Sequence, residues 1–126
     1  MSREILFRGK QIDNEEWEVG GVFSSKNYTG IIVNAMRWVE VDPETVCQYT
    51  GLTDKNGKRY EGDIFQASDG EYIQRYIIKW NEDSLEWSTE CIEEPDGTLP
   101  LSEFRVEEIE VIGNIFDNPE LLEVGE

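Results

Sequence analysis

The sequence predicts a mainly β domain, because short alternating or apolar stretches recur between turn-forming residues and helical periodicity is almost absent. The clearest strand covers residues 71–80, where Tyr76, Ile78 and Trp80 fall on one face. Strong turn signals such as Pro-Asp-Gly separate the candidate strands. We therefore expect a small barrel-like core of about five or six strands over roughly residues 46–116, with extra N-terminal strands before it and a short C-terminal helical turn after it.

A β-hairpin is predicted in the middle of the chain. The apolar runs Val46–Leu52 and Tyr60–Phe65 flank the turn-forming sequence Asp-Lys-Asn-Gly-Lys. Gly57 supplies a positive φ at little cost, and the side chain of Asp54 or Asn56 is suited to close an Asx-type turn.

A sharp bend is predicted at the end of this hairpin. Gly62 and Asp63 precede two apolar residues, a pattern typical of a bend or bulge that begins a new strand. We expect Gly62 to hold a conformation that residues with a Cβ adopt poorly, and Asp63 to cap the bend. Glu61 and Asp63 lie two residues apart, which is also compatible with metal binding or acid–base chemistry, but the turn is the stronger interpretation.

Shorter patterns predict strands in the first 45 residues, at Glu4–Arg8, Trp17–Phe23 and Ile31–Val33. The stretch Met36–Val41 is compatible with a strand or with a helical turn. The Asp-Pro pair that follows ends it, because the residue before a proline avoids the helical region.

The second half of the chain continues the β pattern. Residues 85–92 predict a strand whose odd-numbered residues face inward and whose even-numbered residues, Ser88 among them, face outward. Residues 104–116 predict the last strand or strands. Asn118 as N-cap and Pro119 as the first helical position predict the short helical turn.

Length and charge bound the possible classes of protein. The 126 residues fit a single domain that spans residues 1–126. The formal net charge is −17, and residues 82–126 contain 15 Asp or Glu and a single Arg, so 14 of the 17 excess negative charges lie there. A chain this acidic repels a phosphate backbone, so direct nucleic-acid binding is not expected. With neither a secretory signal nor a long apolar run, a cytoplasmic location away from any membrane is expected.

Candidate nucleophiles lack an activating partner. The sequence contains no histidine, the usual proton shuttle near neutral pH, so Ser88, Thr89 and Cys91 have no histidine base. Cys47 and Cys91 show no Cys-x-x-Cys spacing and are expected to be reduced and partly buried. We therefore expect no enzymatic activity, no metal and no cofactor.

Two groups of side chains are candidates for contacts. Lys55, Lys58 and Arg59 form a dense basic cluster, expected to be a solvated hairpin tip, with contact to nucleic acid or an acidic neighbour as the alternative. Most tryptophans are expected in the core, but four are difficult to bury in a small barrel, so one or two are expected at an interface; they are Trp17, Trp38, Trp80 and Trp87.

Three stretches resemble one known family. The sequence from Gln48 to Ile64, Q-Y-T-G-L-T-D-K-N-G-K-R-Y-E-G-D-I, is similar to the signature of the YopX-like family of bacteriophage and prophage proteins. Arg3–Arg8 resembles the opening strand of that family and Glu110–Leu122 its closing motif. The chain is one residue shorter than the commoner pattern between Gly57 and Tyr60.

The resemblance implies a fold and a phage origin, with no assigned activity. It also marks the residues expected to form the structural motif. They are Tyr49, Gly51, Asp54, Asn56, Gly57, Tyr60, Gly62, Asp63, Gly113, Asn114 and Pro119.

Two function hypotheses follow. The leading one is a noncatalytic phage or prophage accessory protein, or protein-interaction module, that acts in the bacterial cytoplasm and self-associates. The alternative is an acidic regulator that docks basic or nucleic-acid-binding partners by mimicking phosphate. Its candidate interaction face, for which a solubilising surface is the stronger interpretation, consists of Glu86, Glu90, Glu107, Glu108 and Glu110.

Overall fold

The computed structural model describes most of the chain, namely residues 5–54, 57–68, 71–94, 98–105 and 109–123. Within these residues the chain forms eleven strands: β1 (Phe7–Lys10), β2 (Trp17–Ser24), β3 (Thr29–Asn34), β4 (Arg37–Val41), β5 (Cys47–Asp54), β6 (Gly57–Tyr60), β7 (Asp63–Ser68), β8 (Ile73–Asn81), β9 (Glu86–Cys91), β10 (Thr98–Pro100) and β11 (Ile109–Asn114). Short 3₁₀ turns cover Pro43–Thr45, Leu101–Glu103 and Pro119–Leu122.

The strands are arranged in two antiparallel sheets. One has the order β4-β3-β2-β1-β5-β6 and the other the order β10-β9-β8-β7-β11. The mainly β prediction is confirmed, as are the N-terminal strands and the C-terminal turn. Among the described residues the sheets do not form one closed barrel, so the barrel-like core over residues 46–116 holds only as a loose description. The chain divides into two compact units, Met1–Gly51 and Leu52–Glu126.

In the first unit, the sheet curls so that the end of β1 returns to β4. The backbone N–H of Ile12 donates to the carbonyl of Glu40 at 3.1 Å, and that of Asp42 donates to Lys10 at 2.9 Å. The concave side buries Ile31 and Val41 completely. These long-range bonds satisfy backbone groups that would otherwise lie unpaired at the sheet edge.

The ambiguous stretch after Met36 is a strand. Trp38 pairs with Ile32 in an antiparallel register, and Val39 pairs with Ile31. Pairing with β3 therefore decides between the two local conformations that the sequence permits.

In the second unit, one face of the sheet carries the core. Its aromatic centre is Phe65, Tyr76 and Phe104, with ring centroids 5.0–5.4 Å apart. The buried cluster consists of Phe65, Ala67, Tyr76, Ile78, Cys91, Leu101 and Ile109.

Ser88 lies on the outward side of β9, as predicted, because it pairs with Lys79 on the side opposite the core. It is nevertheless buried, with 6% of its surface exposed. The cause is β10, which pairs with β9 and brings the carbonyl of Leu99 within 3.2 Å of the Ser88 hydroxyl, which donates to it. Thr89 donates to the same carbonyl at 3.0 Å.

The predicted bend lies between β6 and β7. Gly57 and Gly62 have φ values of +139° and +86°, so both predicted positive-φ positions are confirmed. The Asp63 carboxylate accepts a hydrogen bond from the backbone N–H of Tyr60 at 2.8 Å, which caps the bend as expected. The bend is also held by its own backbone, because Gly62 donates to Ile78 at 2.9 Å and accepts from Ile115 at 3.0 Å.

The closing motif is organised by two asparagines. Asn118 is the N-cap residue of the C-terminal turn, as predicted, although its side chain makes no capping hydrogen bond. Its carbonyl oxygen instead accepts from the backbone N–H of Asn114 at 3.2 Å. That oxygen would clash with a Cβ on Gly113, which explains a glycine at this position. The Asn114 side chain in turn accepts from the N–H groups of Phe116 and Asp117.

We expect Gly62→Val to lower the free energy of unfolding by more than about 2 kcal/mol, because a β-branched residue is strained at positive φ. Urea unfolding monitored by circular dichroism measures the loss. Gly21→Val is the matched control, since Gly21 lies in a strand with open space around its Cβ position. Equal stability of the two variants would contradict the assignment of strain to Gly62.

Candidate interaction surface

An aromatic cluster, defined as Phe23, Tyr28 and Trp38, lies on the convex face of the first unit. The rings of Tyr28 and Trp38 are stacked, with centroids 5.4 Å apart and an interplanar angle of 16°. Phe23 meets Trp38 edge-on at 5.2 Å and Tyr28 edge-on at 6.0 Å. Such offset and edge-to-face arrangements are the favourable geometries of aromatic pairs.

Strand register explains why these rings meet at the surface. Phe23 of β2 pairs with Gly30 of β3, and Ile31, the next residue along β3, is buried on the opposite face. A Cβ on Gly30 would lie 2.6 Å from the Phe23 ring and 2.9 Å from Trp38, so the rings fill the space above this glycine. Tyr28 and Trp38 nevertheless remain 40% and 49% exposed.

A hollow of about 410 Å³ lies beside the cluster, and Tyr28 belongs to its wall. It is formed by the loop after β2, the end of β4 and the residues that follow β1 and β4. Its lining residues are Ile12, Ser25, Lys26, Asn27, Tyr28, Thr29, Glu40, Val41 and Pro43.

Part of the predicted acidic face shares one side of the second sheet. Glu90 pairs with Ile77, and Glu110 pairs with Gln66, which places both on the side opposite the core. Glu86 lies on the same side, four residues before Glu90 in β9. Glu107 and Glu108 lie outside the described residues.

Basic side chains interrupt this acidic side. Lys79 forms an ion pair with Glu90. Arg75 forms an ion pair with Glu93 at 3.2 Å. The surface therefore carries mixed charge where the sequence alone indicated a run of carboxylates.

Arg75 also attaches the C-terminal turn to this side of the sheet. Its guanidinium donates to the carbonyls of Leu121 at 2.6 Å and Glu123 at 2.9 Å. Cationic side chains commonly bind the last carbonyls of a helical turn in this way. The C-terminal turn is therefore held at the side of the sheet that carries these carboxylates.

The motif residues around the central hairpin lie mostly in the interior. Tyr49 and Tyr60 are buried, and Gly51 has a φ of +90°. The Asp54 side chain and Asn56 lie outside what the structure describes. Arg59 is 1% exposed, so the expectation of a solvated basic tip is wrong for this residue.

Groups capable of chemistry are dispersed. Cys47 and Cys91 are both buried thiols. Asp63 is 2% exposed and is used in the bend. Within the described ranges, acidic and cysteine side chains form no group of three or more suited to hold a metal ion. The described part of the chain also contains no helix long and apolar enough to cross a membrane.

Comparison with known proteins identifies the family. The model of the YopX protein family matches residues 6–123. The chain belongs to the YopX family. Its fold is similar to that of protein EF1440 from Enterococcus faecalis in a crystal structure, with a TM-score of 0.55 and 24% sequence identity over 97% of this chain and 100% of that one. No curated protein matches the sequence.

Sequence reasoning did not find the aromatic cluster as a unit. Trp38 is one of four tryptophans that the sequence offers for an interface, but no local pattern links it to Phe23 and Tyr28, because 15 residues separate the outer members of the cluster. A glycine within the short apolar strand β3 is the available signal, since it often marks the close approach of another group.

We expect Gly30→Ala to separate the rings of Phe23 and Trp38, because its Cβ would occupy their space. The change should reduce the near-ultraviolet circular dichroism of the aromatic side chains and cost about 1 kcal/mol of stability. Gly21→Ala, on the same face with nothing within 4 Å of its Cβ position, should leave the spectrum unchanged. Identical spectra for both variants would contradict this packing.

We expect Arg75→Met to release the C-terminal turn, because two donors to backbone carbonyls are lost. Hydrogen exchange at the Leu121 amide should accelerate by about tenfold, which corresponds to the usual contribution of such bonds. Lys79→Met is the control, since it removes an ion pair from the same strand without touching the turn. Unchanged exchange in Arg75→Met would show that other contacts hold the turn.

Proposed function

We propose that this chain is a noncatalytic protein-interaction module, encoded by a phage or prophage and acting in the bacterial cytoplasm. The aromatic cluster carries the proposal, because Tyr28 and Trp38 present large ring surfaces to solvent. Rigid aromatic side chains are enriched at protein interfaces, where they contribute much contact area at low entropic cost. They serve binding without supplying a reactive group.

The proposal requires neither a metal nor a cofactor. The carboxylate pair considered for metal binding contains Asp63, whose Oδ2 accepts from the Tyr60 backbone. This contact supports a structural use of that side chain in the bend.

Self-association is part of the same proposal. In the second unit several apolar side chains are exposed, and burying them against a second copy would remove apolar surface from water. They are Tyr72, Ile73, Leu85 and Leu99.

Phosphate mimicry by the acidic side of the second sheet is the alternative. The common side of Glu86, Glu90 and Glu110 favours it. The ion pairs of Lys79 and Arg75 oppose it, because they place positive charge among these carboxylates. The geometry therefore supports the aromatic surface more strongly.

Affinity capture from host cells, followed by calorimetry with the purified partner, tests these two surfaces. We expect Trp38→Ala to weaken the complex by about tenfold or more, as for a central aromatic contact. Trp80→Ala is matched in residue type and exposure, at 43%, and should leave affinity unchanged.

The double variant Glu86→Gln/Glu110→Gln tests the alternative. Loss of affinity in this variant, together with full binding by Trp38→Ala, would replace the aromatic proposal with phosphate mimicry. An equal loss in Trp38→Ala and Trp80→Ala would also contradict a specific role for the aromatic cluster.

A further inference from the structure

We propose that the hollow beside the aromatic cluster binds an extended, positively charged peptide segment of the partner protein. This inference rests on the proposed function and specifies the chemistry of the bound segment. The hollow offers an apolar wall made by Ile12, Tyr28 and Pro43, and the Tyr28 ring in this wall stacks on Trp38. Concave sites of this kind bind ligands through apolar contact and a few polar groups that fix orientation.

Exposed carboxylates lie in the lining of the hollow or next to lining residues in the chain. Glu40 is exposed and lines the hollow directly. Asp13 follows the lining residue Ile12 in the chain, and Asp42 and Glu44 flank Pro43; all three are exposed. Lys26 is the cation among the lining residues. The rim is therefore predominantly acidic and complementary to a segment that carries Arg or Lys.

The aromatic rings suit the same ligand. A guanidinium or ammonium group binds favourably over the face of Trp or Tyr, and a nearby carboxylate strengthens its attraction. Trp17 of the same unit already has such contacts, with the Arg8 guanidinium 4.6 Å and the Lys10 ammonium 5.4 Å from its ring. Trp38 is instead packed against Tyr28 and Phe23 and keeps 49% of its surface exposed.

Charge also disfavours the other occupants. A nucleic acid would bring its phosphates against the acidic rim. A second copy of this chain carries a net charge of −17, so like charges repel at this face. A basic segment is attracted both by the rim and by the net field of the protein.

The remaining lining residues are suited to an extended chain. Ser25, Asn27 and Thr29 contribute polar side chains to the lining. Their hydroxyl and amide groups are able to pair with the backbone N–H and C=O groups of a peptide. The apolar wall then accommodates side chains between the charged ones.

Fluorescence anisotropy with three synthetic ten-residue peptides tests the proposal. One alternates arginine with leucine, and the others carry glutamine or glutamate in place of arginine. We expect the arginine peptide to bind and the glutamate peptide not to bind. Trp38→Ala should weaken binding by about tenfold.

Two double variants that remove equal charge distinguish peptide binding at this hollow from general electrostatic attraction of the peptide to an acidic protein. Glu40→Gln/Glu44→Gln should weaken binding of the arginine peptide about twofold to fivefold at low salt, the range for exposed charge pairs. Glu86→Gln/Glu110→Gln should change it by less. Amide chemical-shift changes should concentrate at the lining residues.

Equal weakening by the two double variants would overturn the proposal, because the attraction would then be nonspecific. So would binding that ignores Trp38→Ala, direct binding of labelled (dT)10 to the wild-type protein but not to Trp38→Ala, or a dimer in sedimentation equilibrium that Trp38→Ala abolishes. If the captured partner requires Trp38 but does not compete with the arginine peptide, this inference fails while the interaction module stands. If no partner requires Trp38, the proposed function itself fails.

Discussion

The bend at Gly62 is the constraint on which the second unit depends. At this residue the chain leaves the six-stranded sheet after β6 and enters the five-stranded sheet as β7. Its N–H and C=O groups both bind distant backbone, at Ile78 and Ile115, so one residue joins three segments of the chain. Positive φ makes this geometry available, and glycine adopts it without the strain of a Cβ. The carboxylate of Asp63 accepts a hydrogen bond from the N–H of Tyr60, so this buried donor has a partner within the turn.

The closing motif repeats the same principle beside the bend, where Asn114 of β11 pairs with Asp63 of β7. Gly113 leaves room for the Asn118 side chain, and Asn114 pairs with the backbone that turns after β11. Arg75 then fixes the last residues from the neighbouring side of the sheet. Short polar side chains and glycines thus decide where the strands end, while the apolar residues decide which face is buried.

Features that depend on local chemistry were predictable from the sequence. Gly57 and Gly62 were recognisable because a turn with positive φ has a strong residue preference, and Pro119 because it favours the first turn of a helix. Features that depend on distant pairing were not. Ser88 is buried only because β10 lies beside it, and Arg59 has the local sequence of an exposed turn although it lies in the interior. Local alternation cannot show which strand is covered by another.

The same limit explains why the sequence predicts the surface features of the protein only in part. The acidic residues of β9 and β11 were recognisable as a charged group, but the cations of β8 among them became evident only from the register. The aromatic cluster combines residues from two strands and a loop, and each alone resembles an ordinary core residue. Division of the strands between two sheets likewise depends on pairings over long sequence separations, which periodicity does not encode.

The curl of the first sheet has a consequence for recognition. After β1 the chain returns to β4, and its backbone forms hydrogen bonds with the carbonyl of Glu40 and the N–H of Asp42. These two groups lie at the end of β4 that borders the hollow, so they are already paired. A ligand therefore does not extend the sheet there as an added strand, which is a common way for proteins to hold peptides. Selectivity in the hollow comes from side chains alone. A peptide held by side chains alone forms no ladder of backbone hydrogen bonds, and such a ladder is what would fix its N-to-C direction. Segments that run in either direction along the surface can therefore make the same contacts.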